Sequence, residues 1–135
     1  MFGTIILSVL ILGGALLAYI RLAPSDPDRW HVPVGYTEDA DMRDGAVRVI
    51  PAGADTFARI DAAAQALPRT QVLAGSVAQG RITYVTRSAA VGFPDYTTVE
   101  ETDGKVKLYA RQRFGRSDFG VNRARLERLL GALKA

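Results

Sequence analysis

The sequence predicts an α+β protein, with an antiparallel sheet of about four to five strands packed with two helices and preceded by one transmembrane helix. Three observations predict this class. An uncharged apolar run opens the chain, segments rich in β-branched and aromatic residues fill its middle, and leucines at helical spacing lie near its end. Because strands and amphipathic helices cover each other's apolar faces, we expect a layered α+β domain.

Residues 2–21 are predicted to form a transmembrane anchor. No charge occurs from Phe2 to Ile20, and at about 1.5 Å per residue this helix covers roughly 28 Å, close to the ~30 Å hydrocarbon thickness of a bilayer. A domain this small could hardly surround a helix that is apolar on all faces, which disfavours a buried core helix. A cleaved signal peptide is the stronger alternative, but no Lys or Arg precedes the run and no clear small-x-small cleavage site follows it.

The predicted location is the cell membrane, with a single pass and a periplasmic soluble domain. Arg21 and Arg29 lie on the C-terminal side of the span, which by the positive-inside rule favours a cytoplasmic domain. A short anchor that heads a small domain is, however, a common plan for exported proteins. We therefore favour export.

Residues 22–45 are predicted to be a Pro/Asp-rich linker. Pro24, Pro27 and Pro33 stand among several aspartates, a composition that resists both regular helix and central strand. Trp30 interrupts the segment. An amphipathic Trp near a span either rests at the level of the lipid headgroups or packs on the domain, and both interpretations stay open.

Residues 46–135 are predicted to form the soluble α+β domain. Its expected elements are a short strand at 48–50, a helix capped by Asp55 that ends at Ala66 or Leu67, strands at 70–77, 81–88, 96–101 and 105–111, and a helix at 121–134. The pair Asp103-Gly104 suits the positive φ angles of a tight hairpin between the last two strands. In the second arm, apolar residues alternate with Lys107, Tyr109 and Arg111, as expected when one sheet face meets solvent.

Composition excludes several kinds of chemistry. Cysteine is absent and His31 is the only histidine, so disulfides and thiolate metal sites are excluded and an imidazole-based triad is disfavoured. We expect no cofactor and no metal. Residues 105–135 hold nine basic and two acidic groups, a net charge of +7. No aromatic stacking platform accompanies this charge, so a nucleic-acid partner is not expected.

The stretch RQRFGRSDFGVNRAR, at residues 111–125, carries a family resemblance. Together with Arg87-Ser88 and Phe93-Pro94-Asp95 it resembles DUF1499, a family of proteins of unknown function found in bacteria and plastid-bearing eukaryotes. The similarity covers about residues 47–134, and the anchor and the tether after it resemble those of alphaproteobacterial members. The resemblance implies relatives of bacterial origin and implies no activity.

This signature, with the turn near Asp95, supplies the candidate ligand-binding residues. They are Arg87, Asp95, Arg113, Arg116, Ser117, Asp118, Asn122, Arg123 and Arg125. In one interpretation Asp118 only caps a helix by accepting backbone N–H bonds. In the other, the helix N-terminus and its arginines hold a phosphate or carboxylate.

The favoured function is therefore a membrane-anchored binding or interaction domain with an anion site in the signature. The alternative is a hydrolase-type enzyme that acts on an acidic or phosphorylated substrate, and Asp95 with Asp118 is the one carboxylate pair nominated for it. A third hypothesis is contact with anionic lipid headgroups through the cationic C-terminal helix. The sequence names no protein partner.

Overall fold

A computed structural model describes residues 1–134 and confirms the α+β class, with one antiparallel sheet and an apolar helix before it. The helices are α1 (Phe2–Leu22), α2 (Pro27–Trp30), α3 (Thr56–Gln65) and α4 (Val121–Gly131), and a 3-10 turn follows at Ala132–Lys134. The strands are β1 (Ala40–Met42), β2 (Gly45–Pro51), β3 (Thr70–Ser76), β4 (Arg81–Arg87), β5 (Pro94–Thr102) and β6 (Lys105–Gln112). The expected positions of α1, α3, α4 and the last four strands agree with these bounds to within a few residues.

The element counts need correction, because the sheet has six strands and the described chain four helices. Both additional elements lie in the segment 22–45. Helix α2 begins after Asp26, whose side chain accepts the Asp28 N–H at 2.9 Å, and Pro27 occupies the first helical position. Proline is tolerated there, since that N–H has no intrahelical partner. Strand β1 is only three residues long and contains Asp41, so no strand-like composition marks it.

The strand order is β1-β2-β6-β5-β4-β3, and every neighbouring pair is antiparallel. Strands β5 and β6 form the predicted tight hairpin. Thr102 pairs with Lys105, and the two turn residues Asp103 and Gly104 have φ angles of 53° and 75°. Both positive angles are those that a two-residue hairpin of the favoured twist requires.

One face of the sheet packs against α3 and α4. Its core includes Val99, Leu108 and Ala110 from the sheet and Ile60 and Leu126 from the two helices. All five are 0 % exposed. We call this side the helix face, and the alternation along β6 predicts it.

The opposite face is not left to solvent, because residues 23–36 fold across it. The Trp30 ring stacks on Tyr96 with centroids 4.0 Å apart. The buried Arg111 guanidinium donates to the Trp30 carbonyl at 2.6 Å, and the Glu100 carboxylate accepts the Val34 N–H at 3.3 Å. We call this side the strap face and residues 23–36 the strap. Trp30 therefore packs on the domain.

Helix α1 touches the domain only through its last turn. Within α1, Ile20 is the buried residue, and its carbonyl accepts a hydrogen bond from Arg87 at 3.3 Å. The Arg21 guanidinium donates to the carbonyls of Val91 at 2.9 Å and Ala90 at 3.0 Å. The rest of the helix is exposed along its length, so it projects from the domain.

Candidate functional site

The candidate residues gather at the end of the sheet from which α1 projects. Thr86, Asp95 and Gln112 are paired across β4, β5 and β6 at this end. The loops 88–93 and 113–120 leave the sheet there. We call this region the α1 end of the sheet.

Four of the predicted residues form one hydrogen-bonded group, the signature network of Asp95, Asp118, Asn122 and Arg125. The Asn122 Nδ2 donates to Asp118 Oδ2 at 2.9 Å and to Asp95 Oδ2 at 3.3 Å. Arg125 donates to the Asn122 Oδ1 and forms an ion pair of 3.4 Å with Asp95. Asn122 is 0 % exposed and Asp118 7 %. The network is therefore largely closed to solvent.

Asp118 lies two residues before Gly120, the N-cap of α4, and both of its carboxylate oxygens accept backbone N–H groups at the helix start. Its Oδ1 accepts the Gly120 N–H at 2.8 Å and its Oδ2 accepts the Asn122 N–H at 3.2 Å. These are backbone groups of the kind that would hold an external anion at a helix start. Because a carboxylate of the chain already binds them, the geometry favours the capping interpretation of the signature.

The two nominated carboxylates meet on the amide of Asn122. Burial raises the pKa of the Asp95 carboxyl above its ordinary value, Arg125 and Asn122 oppose this rise, and the negative charge of Asp118 adds to it. A raised pKa suits a general acid or base. Here, however, a substrate would have to displace the buried Asn122 to reach both groups.

The other residues of the signature point in different directions. Arg113 donates to the Pro24 carbonyl at 3.0 Å and to the Tyr96 hydroxyl at 3.1 Å, on the strap face. Arg123 lies 3.7 Å from Asp41 with its side chain 62 % exposed.

The side chains of Ser117 and Arg116 make no hydrogen bond or ion pair with distant residues among those described. The Ser117 Oγ accepts the Phe119 N–H at 3.3 Å, which is a local turn contact. Arg116 is exposed. The arginines of the signature therefore do not converge on one position.

Arg87 instead lies in a cleft of about 640 Å³ on the strap face, between the end of α1 and strands β3 and β4. Arg21 and Arg69 also line it, as do the hydroxyl-bearing residues Ser25 and Ser88. We call this site the arginine cleft. Its donors suit an anion, since planar guanidinium groups bind phosphate and carboxylate through paired N–H groups.

Backbone carbonyls hold the three guanidinium groups in position. Arg87 donates to Gly92 at 3.0 Å as well as to Ile20, and Arg69 donates from Nε to the Arg87 carbonyl at 2.9 Å. Within residues 1–134, no carboxylate lies at ion-pair distance from Arg21, Arg69 or Arg87. Their positive charge is therefore not neutralised by the described chain.

Sequence reasoning found Arg87 but missed the two other arginines of the cleft as ligand-binding candidates. In the sequence Arg21 marks only the C-terminal end of the span and bears on its orientation, and Arg69 follows Pro68 at the start of a strand, where nothing marks it. The three lie far apart along the chain, so only the tertiary fold brings them together. Among the described residues, no cluster of three or more His, Cys, Asp or Glu could hold a metal ion.

Comparison with known proteins identifies a family. A family model described as Protein of unknown function (DUF1499) matches residues 20–133. This range begins at the last turn of α1 and includes the strap. No curated protein matches the chain.

Proposed function

Because this chain belongs to the DUF1499 family, a family of unknown function, we propose a function from its own residues: it is a single-pass membrane protein whose domain binds an anionic group in the arginine cleft. The family resemblance carried by residues 111–125 is confirmed by the match over 20–133. Since that match brings no activity with it, the proposal depends on the physical chemistry of the chain.

The apolar helix supports the membrane part of this proposal. Helix α1 has a mean hydropathy of 2.3, and only 6 % of its span is buried against the domain. An apolar helix that the protein leaves uncovered needs another apolar solvent, and its length suits a bilayer. We place the domain in the periplasm. Protease added to spheroplasts should then cleave it, whereas a cytoplasmic domain would be protected.

The single observation that carries the binding part is the uncompensated charge of the arginine cleft. Three guanidinium groups share one cleft without a carboxylate partner in residues 1–134. Like charges that are brought together repel one another, and an anion in the cleft relieves this repulsion. The carbonyls around Arg21 and Arg87 leave further N–H groups of each side chain free to donate.

The position of the cleft indicates a phosphate-type anion. It lies beside the last turn of α1, which is the level at which a spanning helix meets the lipid headgroups. Basic side chains are attracted to such a surface where it carries anionic lipid. A free phosphate and a lipid phosphate share this chemistry, so the test needs both.

The test is an NMR titration of the full chain in neutral detergent micelles. One arm adds inorganic phosphate and the other adds a short-chain phosphatidylglycerol. We expect the amide signals of residues 69–73 and 88–92 to shift in a saturable way, and the stronger arm identifies the source of the anion.

The matched variants are Arg69→Gln, which removes one charge from the cleft, and Arg43→Gln, which removes an exposed charge elsewhere. Arg69→Gln should weaken the titration, and Arg43→Gln should leave it unchanged. The proposal fails if neither anion moves these signals, or if both variants weaken binding equally, which would indicate a diffuse charge effect.

A further inference from the structure

We propose that the α1 end of the sheet rests on the bilayer and that Phe119 inserts its ring among the lipid headgroups. This inference depends on the membrane-spanning role of α1 in the proposed function and is independent of the arginine cleft. The surface consists of loop 113–120 and the neighbouring Phe93 and Val121.

The conformation and exposure of Phe119 are both energetically unfavourable in water. Its side chain is 93 % exposed, and its φ angle is 53°, in the left-handed region that residues other than glycine rarely adopt. Flanking hydrogen bonds hold it there, because the Asp118 carboxylate binds the N–H groups of Gly120 and Asn122 on its C-terminal side. The fold thus fixes a large apolar ring outside its own core.

A line of aromatic rings connects this loop to the end of the span. Tyr19, in the last turns of α1, lies edge-on to Phe114 with centroids 6.1 Å apart, and Phe114 lies 6.4 Å from Phe93. Phe93 is 38 % exposed. Since Phe114 belongs to loop 113–120, the loop that carries Phe119 touches the helix where it leaves the membrane. Tyr and Trp are enriched at this level of membrane proteins, as Tyr19 would be here.

The exposed residues nearby fit the same partner. Val121 is 51 % exposed, and Arg116 lies in the loop with its side chain in solvent. Apolar side chains beside a cation match a headgroup layer, in which acyl carbon lies below phosphate. A bilayer is favoured over a protein partner because α1 projects from this same end, so lipid is already adjacent to the loop.

The absence of cysteine from the chain makes a site-specific test direct. Phe119→Cys and Lys105→Cys are prepared in the full chain and each is labelled with an environment-sensitive fluorophore. Lys105 is exposed in the β5–β6 hairpin, at the opposite end of the sheet. Both proteins are reconstituted into vesicles of phosphatidylcholine alone, in which hydrophobic insertion needs no anion site.

We expect the label at position 119 to shift to shorter wavelength and to be quenched by spin-labelled lipid, while the label at 105 responds only to iodide in the buffer. Equal quenching of both labels by iodide, with none by lipid, would overturn the inference. Because Phe119 is exposed and makes no core contact, its replacement leaves the fold intact, and circular dichroism checks this.

Two further outcomes separate this inference from the proposed function. Release of the unlabelled protein from vesicles by a high-salt wash would show that α1 does not span, and both proposals would fall. The label at position 119 could also be quenched by lipid in a protein that binds neither phosphate nor phosphatidylglycerol. That result would support contact of the α1 end of the sheet with the bilayer and would reject the arginine cleft as an anion site.

Discussion

The helix face and the strap face cover the same sheet by different physical means. On the helix face, apolar side chains such as Leu108 and Leu126 are completely buried against α3 and α4. On the strap face, charged and hydroxyl side chains of the strands hold the backbone of residues 23–36, and the buried Arg111 binds the Trp30 carbonyl. The first face depends mainly on the apolar area that it buries, whereas the second combines buried apolar residues such as Trp30 and Val34 with particular polar contacts.

This difference decides how each face responds to a mutation. The buried apolar area of the helix face comes from many residues that pack together, so truncating one of them lowers the stability of the whole domain. A polar contact is local, and removing a single donor leaves one identifiable acceptor without a partner. The two faces are therefore expected to fail in distinguishable ways.

The largest effect is expected in the helix face. Leu126 is 0 % exposed, and Leu126→Ala should lower the free energy of unfolding by about 3 kcal/mol through the lost burial and the cavity left behind. Urea denaturation of the full chain in nonionic detergent measures this loss. Trp30 is the only tryptophan, so its fluorescence reports the strap while far-ultraviolet circular dichroism reports the secondary structure. Both probes should shift together, because the strap lies on the sheet that this core supports; a change in the fluorescence alone would contradict this expectation.

A smaller and more local effect is expected from the strap face. Arg111→Ala removes the donor to the Trp30 carbonyl and to Thr98 Oγ1, which lies 2.8 Å away, and should cost about 2 kcal/mol. The Trp30 transition should then precede the circular dichroism transition. Arg43→Ala, at an exposed position, is the control and should leave both transitions in place. Coincident transitions in Arg111→Ala would mean that the strap is part of the core.

The smallest effect is the dependence on pH that His31 gives to the strap face. His31 Nδ1 lies 2.9 Å from Thr83 Oγ1, and burial and the nearby Arg81 lower the pKa of His31, against an opposing contribution from Glu100. The unfolded chain therefore binds a proton at about pH 6.5 that the native chain binds only at lower pH, so stability falls as the pH drops below this value.

His31→Gln provides the check on this pH dependence. The variant keeps a polar group near Thr83 and has no imidazole to titrate, while every other titrating group is shared with the parent protein. The difference in unfolding free energy between the two should shrink or change sign from pH 7.5 to pH 5.5. A difference that is constant with pH would show that His31 titrates alike in the folded and unfolded chains.

The same contrast explains how much the sequence could predict. The helix face was predictable because burial imposes periodicity, as in the alternation of Val106, Leu108 and Ala110 along β6. The strap was not, since a side chain that binds a distant carbonyl leaves no local pattern. Pro27, taken as a sign of a linker, instead occupies the first position of α2. The alternation along β6 predicts Arg111 on a solvent-facing side of the sheet, but the strap covers that side and Arg111 is buried.

The candidate site also contains one feature that a local sequence pattern predicts and one that depends on the tertiary fold. The cap by Asp118 follows from a local pattern of a short acidic residue before a helix, and the structure confirms it. The arginine cleft depends on Arg21, Arg69 and Arg87, which approach only after the sheet forms and α1 docks. Its anion remains a prediction.

The docking of the last turn of α1 has a mechanical consequence. If residues 22–45 were fully extended, the domain could move up to about 80 Å away from the end of α1. Instead the Ile20 carbonyl accepts a hydrogen bond from Arg87, and the Arg21 guanidinium donates to loop 88–93. These contacts fix the domain directly to the end of α1. If α1 spans a bilayer as proposed, this docking keeps the domain within the thin layer of solvent next to the membrane surface, and a tilt of the helix would turn the whole domain with it.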